Sequence, residues 1–92
     1  MSDPIRLAPK LDLSAASALT IELKERLGEA EIVLDLTDVR HLGALCLQVM
    51  LAAATSALQD GRRLVCVNAS DRVIDQLRVM GMTPEMISEG RQ

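Results

Sequence analysis

The sequence contains no phenylalanine, tyrosine or tryptophan. Its core must therefore be aliphatic, built from Leu, Val, Ile, Met and Ala, and it lacks the large aromatic platforms on which a nucleobase or a sugar usually stacks. Basic residues are in the minority, 10 against 13 acidic ones, for a net charge of −3. That balance disfavours a nucleic-acid partner, whose affinity rests on clustered Lys and Arg. Long apolar runs are also missing. The longest, Val49 to Ala54, falls far short of the roughly 20 residues needed to cross a bilayer, and the opening MSDPIRLAPK has no apolar stretch behind its charges. A soluble, cytoplasmic, unexported protein is expected. Histidine occurs once, and there is neither a glycine-rich phosphate loop nor a Walker-type motif. Cofactor and metal are expected to be absent.

What is present is a regular punctuation of one domain spanning residues 1–92. A chain of this size buries only about 60 to 65% of the surface exposed when unfolded, and the 49% hydrophobic content is ample for that. Three segments of helical character each run to a glycine, Gly28, Gly61 and Gly81, the residue that most easily takes the left-handed closing conformation. The first helix is predicted to open at Ser14 and to carry Leu19, Leu23 and Leu27 on one stripe. Glu31 to Leu36 reads as a central strand covered on both faces. From about Gly43 to Asp60 a second helix is apolar nearly all round, more than one sheet face can cover.

Arg63 to Asn68 repeats the strand signature, and Ser70-Asp71 opens a third helix bearing Val73, Ile74, Leu77 and Met80. The alternation predicts parallel strands joined by crossovers. Residues 5–13 suggest a strand or hairpin, with Pro9 at an edge, bend or bulge. Thr83 to Gln92 adds a short helix or strand. The expected fold is α/β: a mixed, mostly parallel central sheet of about four strands, with three to four helices packed mainly on one face.

Candidates for chemistry are few. His41 lies between the second strand and the second helix, where α/β proteins often place ligands, but a surface-contact histidine is the simpler reading. Pairing it with Cys46 would make a nucleophile dyad, and Asp35 with Asp38 could in principle hold Mg²⁺; loop-fixing duties explain the two aspartates better. Cys46 and Cys66 match no metal spacing and read as buried, reduced thiols, with a disulfide or redox pair as the alternative. Thr37 and Thr55 are hydroxyls a kinase could modify. An enzyme is not expected.

The segment from Ile32 through Asp35, His41, Gly43, Ala44, Leu45 and Gln48 to Leu51 resembles the signature of the STAS domain, the fold of bacterial anti-sigma factor antagonists. Leu11-Asp12-Leu13-Ser14 looks like that family's entry to its first helix. Gly61 to Val67 is similar to its glycine and following strand, and Val73, Leu77 and Gly81-Met82 to its closing helix, so the likeness covers residues 5–82. In phosphorylated antagonists the turn is Asp-Ser-Ser/Thr-Gly, with the first Ser as phosphoacceptor. Here that tetrad falls on Gly43-Ala44-Leu45-Cys46, and no hydroxyl remains. The resemblance implies a non-catalytic interaction module, closest to the non-phosphorylatable STAS proteins of bacterial chemotaxis operons, which would bind a histidine kinase or response regulator. Its partner contact is expected at His41, Leu42, Gly43, Ala44, Leu45 and Gln48, with parts of Leu47, Val49 and Met50. A regulatory STAS subunit of a lipid-transport ATPase, an anti-sigma-type partner switch and a homodimer are the alternatives it leaves.

Overall fold

The computed structural model describes residues 3–90. Among these described residues five strands and four α-helices follow one another as β1 (Ile5–Arg6), β2 (Lys10–Leu11), α1 (Ala16–Arg26), β3 (Glu31–Asp35), β4 (His41–Leu42), α2 (Ala44–Gln59), β5 (Arg63–Val67), α3 (Asp71–Val79) and α4 (Pro84–Ser88). The α/β class and the parallel pairing are as the sequence predicts. β3 lies in the middle of a three-stranded sheet ordered β1-β3-β5, both ladders parallel.

Instead of one sheet of about four strands, however, there are two, because β2 and β4 pair only with each other, Lys10 opposite His41 and Leu11 opposite Leu42. Residues 5–13 are therefore no hairpin. Pro9 sits in the bend between β1 and β2, and its carbonyl accepts from both Arg40 N (2.8 Å) and His41 N (3.1 Å). Asp35 turns the chain out of the first sheet: one of its oxygens accepts from the Thr37 amide, the Thr37 hydroxyl and the Asn68 side chain. Asn68 holds its place with a left-handed backbone, φ 61°.

Period-two alternation decides which side of the sheet is buried. Ile5, Ile32, Leu34 and Leu64 face the helices, while Val33, Val65 and Val67 on the opposite side are only half-buried. β3 is thus covered on one face, not on both. The open face is tied by the Arg63–Glu31 pair, and Arg6 reaches Asp38 with two bonds of 2.8 and 3.2 Å.

Helix ends show the same mixture of agreement and correction. Ser70 caps α3 by accepting from Val73 N, and Thr83 caps α4 by accepting from Met86 N. Gly61 and Gly81 take φ of +71° and +77°, as a left-handed closure requires. Gly28 does not: α1 has already ended at Arg26 and leaves through ordinary turns. Nor does Ser14 cap α1. Asp12 caps the 3-10 turn Leu13–Ala15 that precedes it, the Ser14 hydroxyl donates to Asp12 at 2.7 Å, and α1 itself, with Ala15 at its N-cap, has no side-chain cap. The resulting core is continuous, with Leu34, Leu36, Met50, Leu64, Val73, Leu77 and Ile87 shielded from solvent.

Candidate functional site

The turn from β4 into α2 is built by main chain. Gly43 N donates to Leu11 O at 2.8 Å, which brings the end of β2 against the start of α2. A Cβ at residue 43 would stand 3.1 Å from that same carbonyl, so the close approach is the reason a glycine fits here. Gly43 then serves as N-cap with no side-chain hydrogen bond, and Ala44, Leu45 and Cys46 form a first turn without an acidic residue or a hydroxyl. α2 propagates because Ala, Leu, Met and Gln dominate its sixteen residues.

A residue the sequence reading passed over holds this turn in place. The Gln76 side chain on α3 accepts from Leu42 N at 2.8 Å and donates to Arg40 O at 2.7 Å. An amide presents a donor and an acceptor side by side, as a strand edge does, so Gln76 replaces the neighbour β4 lacks. Its only sequence signal is a polar residue beside the buried Leu77 of an amphipathic helix.

The predicted contact residues separate into two groups. His41, Ala44 and Gln48 are exposed, Leu45 is 46% exposed and Gly43 is half-buried. Leu42, at 2% exposure, points into the core and anchors the turn rather than offering surface. Leu47 (4%) and Met50 (0%) are likewise buried, because α1, β5 and α4 all pack on α2 and use up most of its apolar circumference. What stays open is a shallow groove between α1 and α2 lined by Thr20, Leu23, Lys24, Val49 and Ala52, and, separately, Leu13, 77% exposed in the 3-10 turn that packs against α2.

No catalytic dyad forms. The Cys46 thiol is buried and donates to Asp12 O at 3.3 Å; burial and the Asp12 charge both push its pKa up, the opposite of what a nucleophile needs. Burial pushes Cys66 up to about 12, and both cysteines are free. Asp35 is held below the usual carboxylate range chiefly by the Thr37 hydroxyl, and Asp38 by its hydrogen bond from Arg6. Both are occupied in fixing the loop, and among the described residues no group of three or more His, Cys, Asp or Glu is placed to hold a metal. The Thr55 hydroxyl donates back to Leu51 O within α2.

The parallel α/β order, with a glycine-led turn entering a central apolar helix, agrees with a family match over residues 2–88 to the family described as Mlab, STAS domain. The chain belongs to the STAS family. No curated protein matches the sequence. Domains of this family are in general regulatory modules that act by protein contact and carry out no catalysis themselves. Within this STAS domain the tetrad Gly43-Ala44-Leu45-Cys46 occupies the N-cap and first three positions of α2, with Ala44 where the resemblance places the phosphoacceptor. No helix among the described residues is long and apolar enough to cross a membrane.

Proposed function

We propose that this STAS domain is a non-catalytic docking module that recognises a partner protein through the β4–α2 turn. His41, Gly43, Ala44, Leu45 and Gln48 form the contact, and the α1–α2 groove extends it. The observation that carries this reading is the half-exposed Leu45 on a glycine-capped, hydroxyl-free first turn, with Leu13 exposed in the adjoining segment. A solvated leucine at a helix start and another in the adjoining segment supply apolar contact for an interface, and the surrounding polar residues its rim. With alanine at residue 44, phosphate cannot be added there, so contact is governed by partner supply or by another site.

The partner is a signalling protein of the histidine-kinase or response-regulator type, as in chemotaxis-associated STAS adaptors. A second reading, a regulatory subunit of a lipid-transport ATPase, uses the same surface and takes its support from the family match, whose description names Mlab. Affinity capture with the tagged protein from its native cell separates the two by what is recovered. Ala44→Glu places a long charged side chain on the exposed first turn, and should reduce capture at least about tenfold, as loss of a central contact does, with the circular dichroism spectrum unchanged. Undiminished capture removes this surface from the interface.

A further inference from the structure

Among the described residues five of the nine lysines and arginines have their side chains engaged: Arg6 with Asp38, Arg26 with Glu29, Arg63 with Glu31, Arg78 with Asp75, and Arg62 with the Gly28 carbonyl. Among the described residues Lys10, Lys24, Arg40 and Arg72 have no such partner. Lys10, Arg40 and Arg72 line one groove, and the chain's single histidine, His41, lines it with them. The groove has a volume of about 920 Å³, the size range of small-ligand sites, and lies between Pro9-Lys10, the Thr37–Arg40 loop and the first turns of α3.

Asp38, the carboxylate in the lining, is paired with Arg6 through two bonds, and Asp35 behind the loop has one oxygen turned to Thr37 and Asn68. Asp71 at the head of α3 is the nearest remaining carboxylate in sequence to Arg72. The cations come from three elements, and the backbone of one of them is fixed: Gln76 grips the Arg40 carbonyl. Such an array matches a ligand carrying several linked negative charges better than a single carboxylate, because each arginine can fork onto a separate group of oxygens. The protein has no Phe, Tyr or Trp, so the groove offers no large aromatic platform for a base.

We propose that the groove bounded by Lys10, Arg40, His41 and Arg72 is an anion site that takes a chain of two or more linked phosphates and reads its charge alone. This goes beyond the docking reading, since Arg72 lies outside that surface.

The test is titration of the ¹⁵N-labelled protein with inorganic pyrophosphate, with adenosine as the uncharged comparison. Saturable amide shifts confined to residues 37–42 and 70–76 are expected, and none with adenosine. The exposed pair Arg40→Ser with Arg72→Ser should weaken binding roughly tenfold with a native circular dichroism spectrum, whereas Arg62→Ser outside the groove should leave it unchanged. Absence of saturation, shifts spread over all surface cations, or equal affinity in the double variant would overturn the proposal. So would sedimentation with phosphatidylglycerol vesicles in a protein indifferent to pyrophosphate, which would identify a membrane surface instead.

Discussion

Replacing Gln76 with alanine tests whether one side chain substitutes for the strand that β4 lacks. Two bonds are lost, and they differ in cost. Leu42 N belongs to a residue only 2% exposed and would lose its 2.8 Å acceptor, and a donor left unpaired in such a place costs about 1–3 kcal/mol. The Arg40 carbonyl is exposed, so water replaces Gln76 Nε2 for about 0.5 kcal/mol. Alanine's better helix propensity returns a few tenths. The sum is about 2 kcal/mol, or a midpoint lowered by about 10 °C for a domain of this size. With no tryptophan or tyrosine to report by fluorescence, the assay is urea and thermal unfolding followed by circular dichroism at about 222 nm. Asp75→Ala is the control: it breaks a pair whose side chains are 75% and 68% exposed and should cost at most about 0.5 kcal/mol. Gln76→Glu keeps the acceptor for Leu42 N and loses the donor, so it should fall between them. If Gln76→Ala and Asp75→Ala unfold together, the clamp contributes nothing and β4 is held by β2 and packing alone.

Three other outcomes follow from the same geometry. Gly43→Ala puts a Cβ 3.1 Å from Leu11 O and installs a poor N-cap residue, for a net loss of about 1 kcal/mol in urea unfolding after allowing for the stiffer unfolded chain. Asp12, Asp35 and Asp38 all have pKa values lowered from 3.8 in the folded protein, so their contribution is present above that value and lost as pH falls through the folded values. The melting temperature should fall below about pH 4, with a smaller acid-dependent loss in Asp38→Asn. Cys46 and Cys66, both raised by burial, should resist iodoacetamide at about pH 8 in the native protein and react once urea unfolds it, as intact mass will show.

Features confined to neighbouring residues were legible in the sequence. Ser70 caps α3 as its position beside Asp71 suggests, and Gly61 and Gly81 close helices because no other residue pays so little for a positive φ. Gly28 fails because α1 stops short of it, and Ser14 yields to Asp12 because a carboxylate at the head of the 3-10 turn accepts from both the Ser14 hydroxyl and Ala15 N. The exposure of the proposed docking turn was half legible. Ala44, Leu45 and Gln48 are exposed, but α2 is apolar on nearly every side, and period alone cannot say which of Leu45, Leu47 and Met50 faces outward.

The missing aromatics and hydroxyls were decisive from the start: the sequence by itself determined an aliphatic core, an alternating α/β order, and a helix-two entry with nothing to phosphorylate at residue 44. Tertiary structure alone decided that β2 and β4 leave the main sheet, that Leu42, Leu47 and Met50 turn inward, that Gln76 supplies a missing strand edge, and that Lys10, Arg40 and Arg72 share one groove. The physical reason is range. Caps and turns are satisfied within a few residues, whereas the Gln76–Leu42 bond, the Arg6–Asp38 pair and the burial of α2 join segments more than thirty residues apart or depend on several elements closing at once, and no local pattern records them.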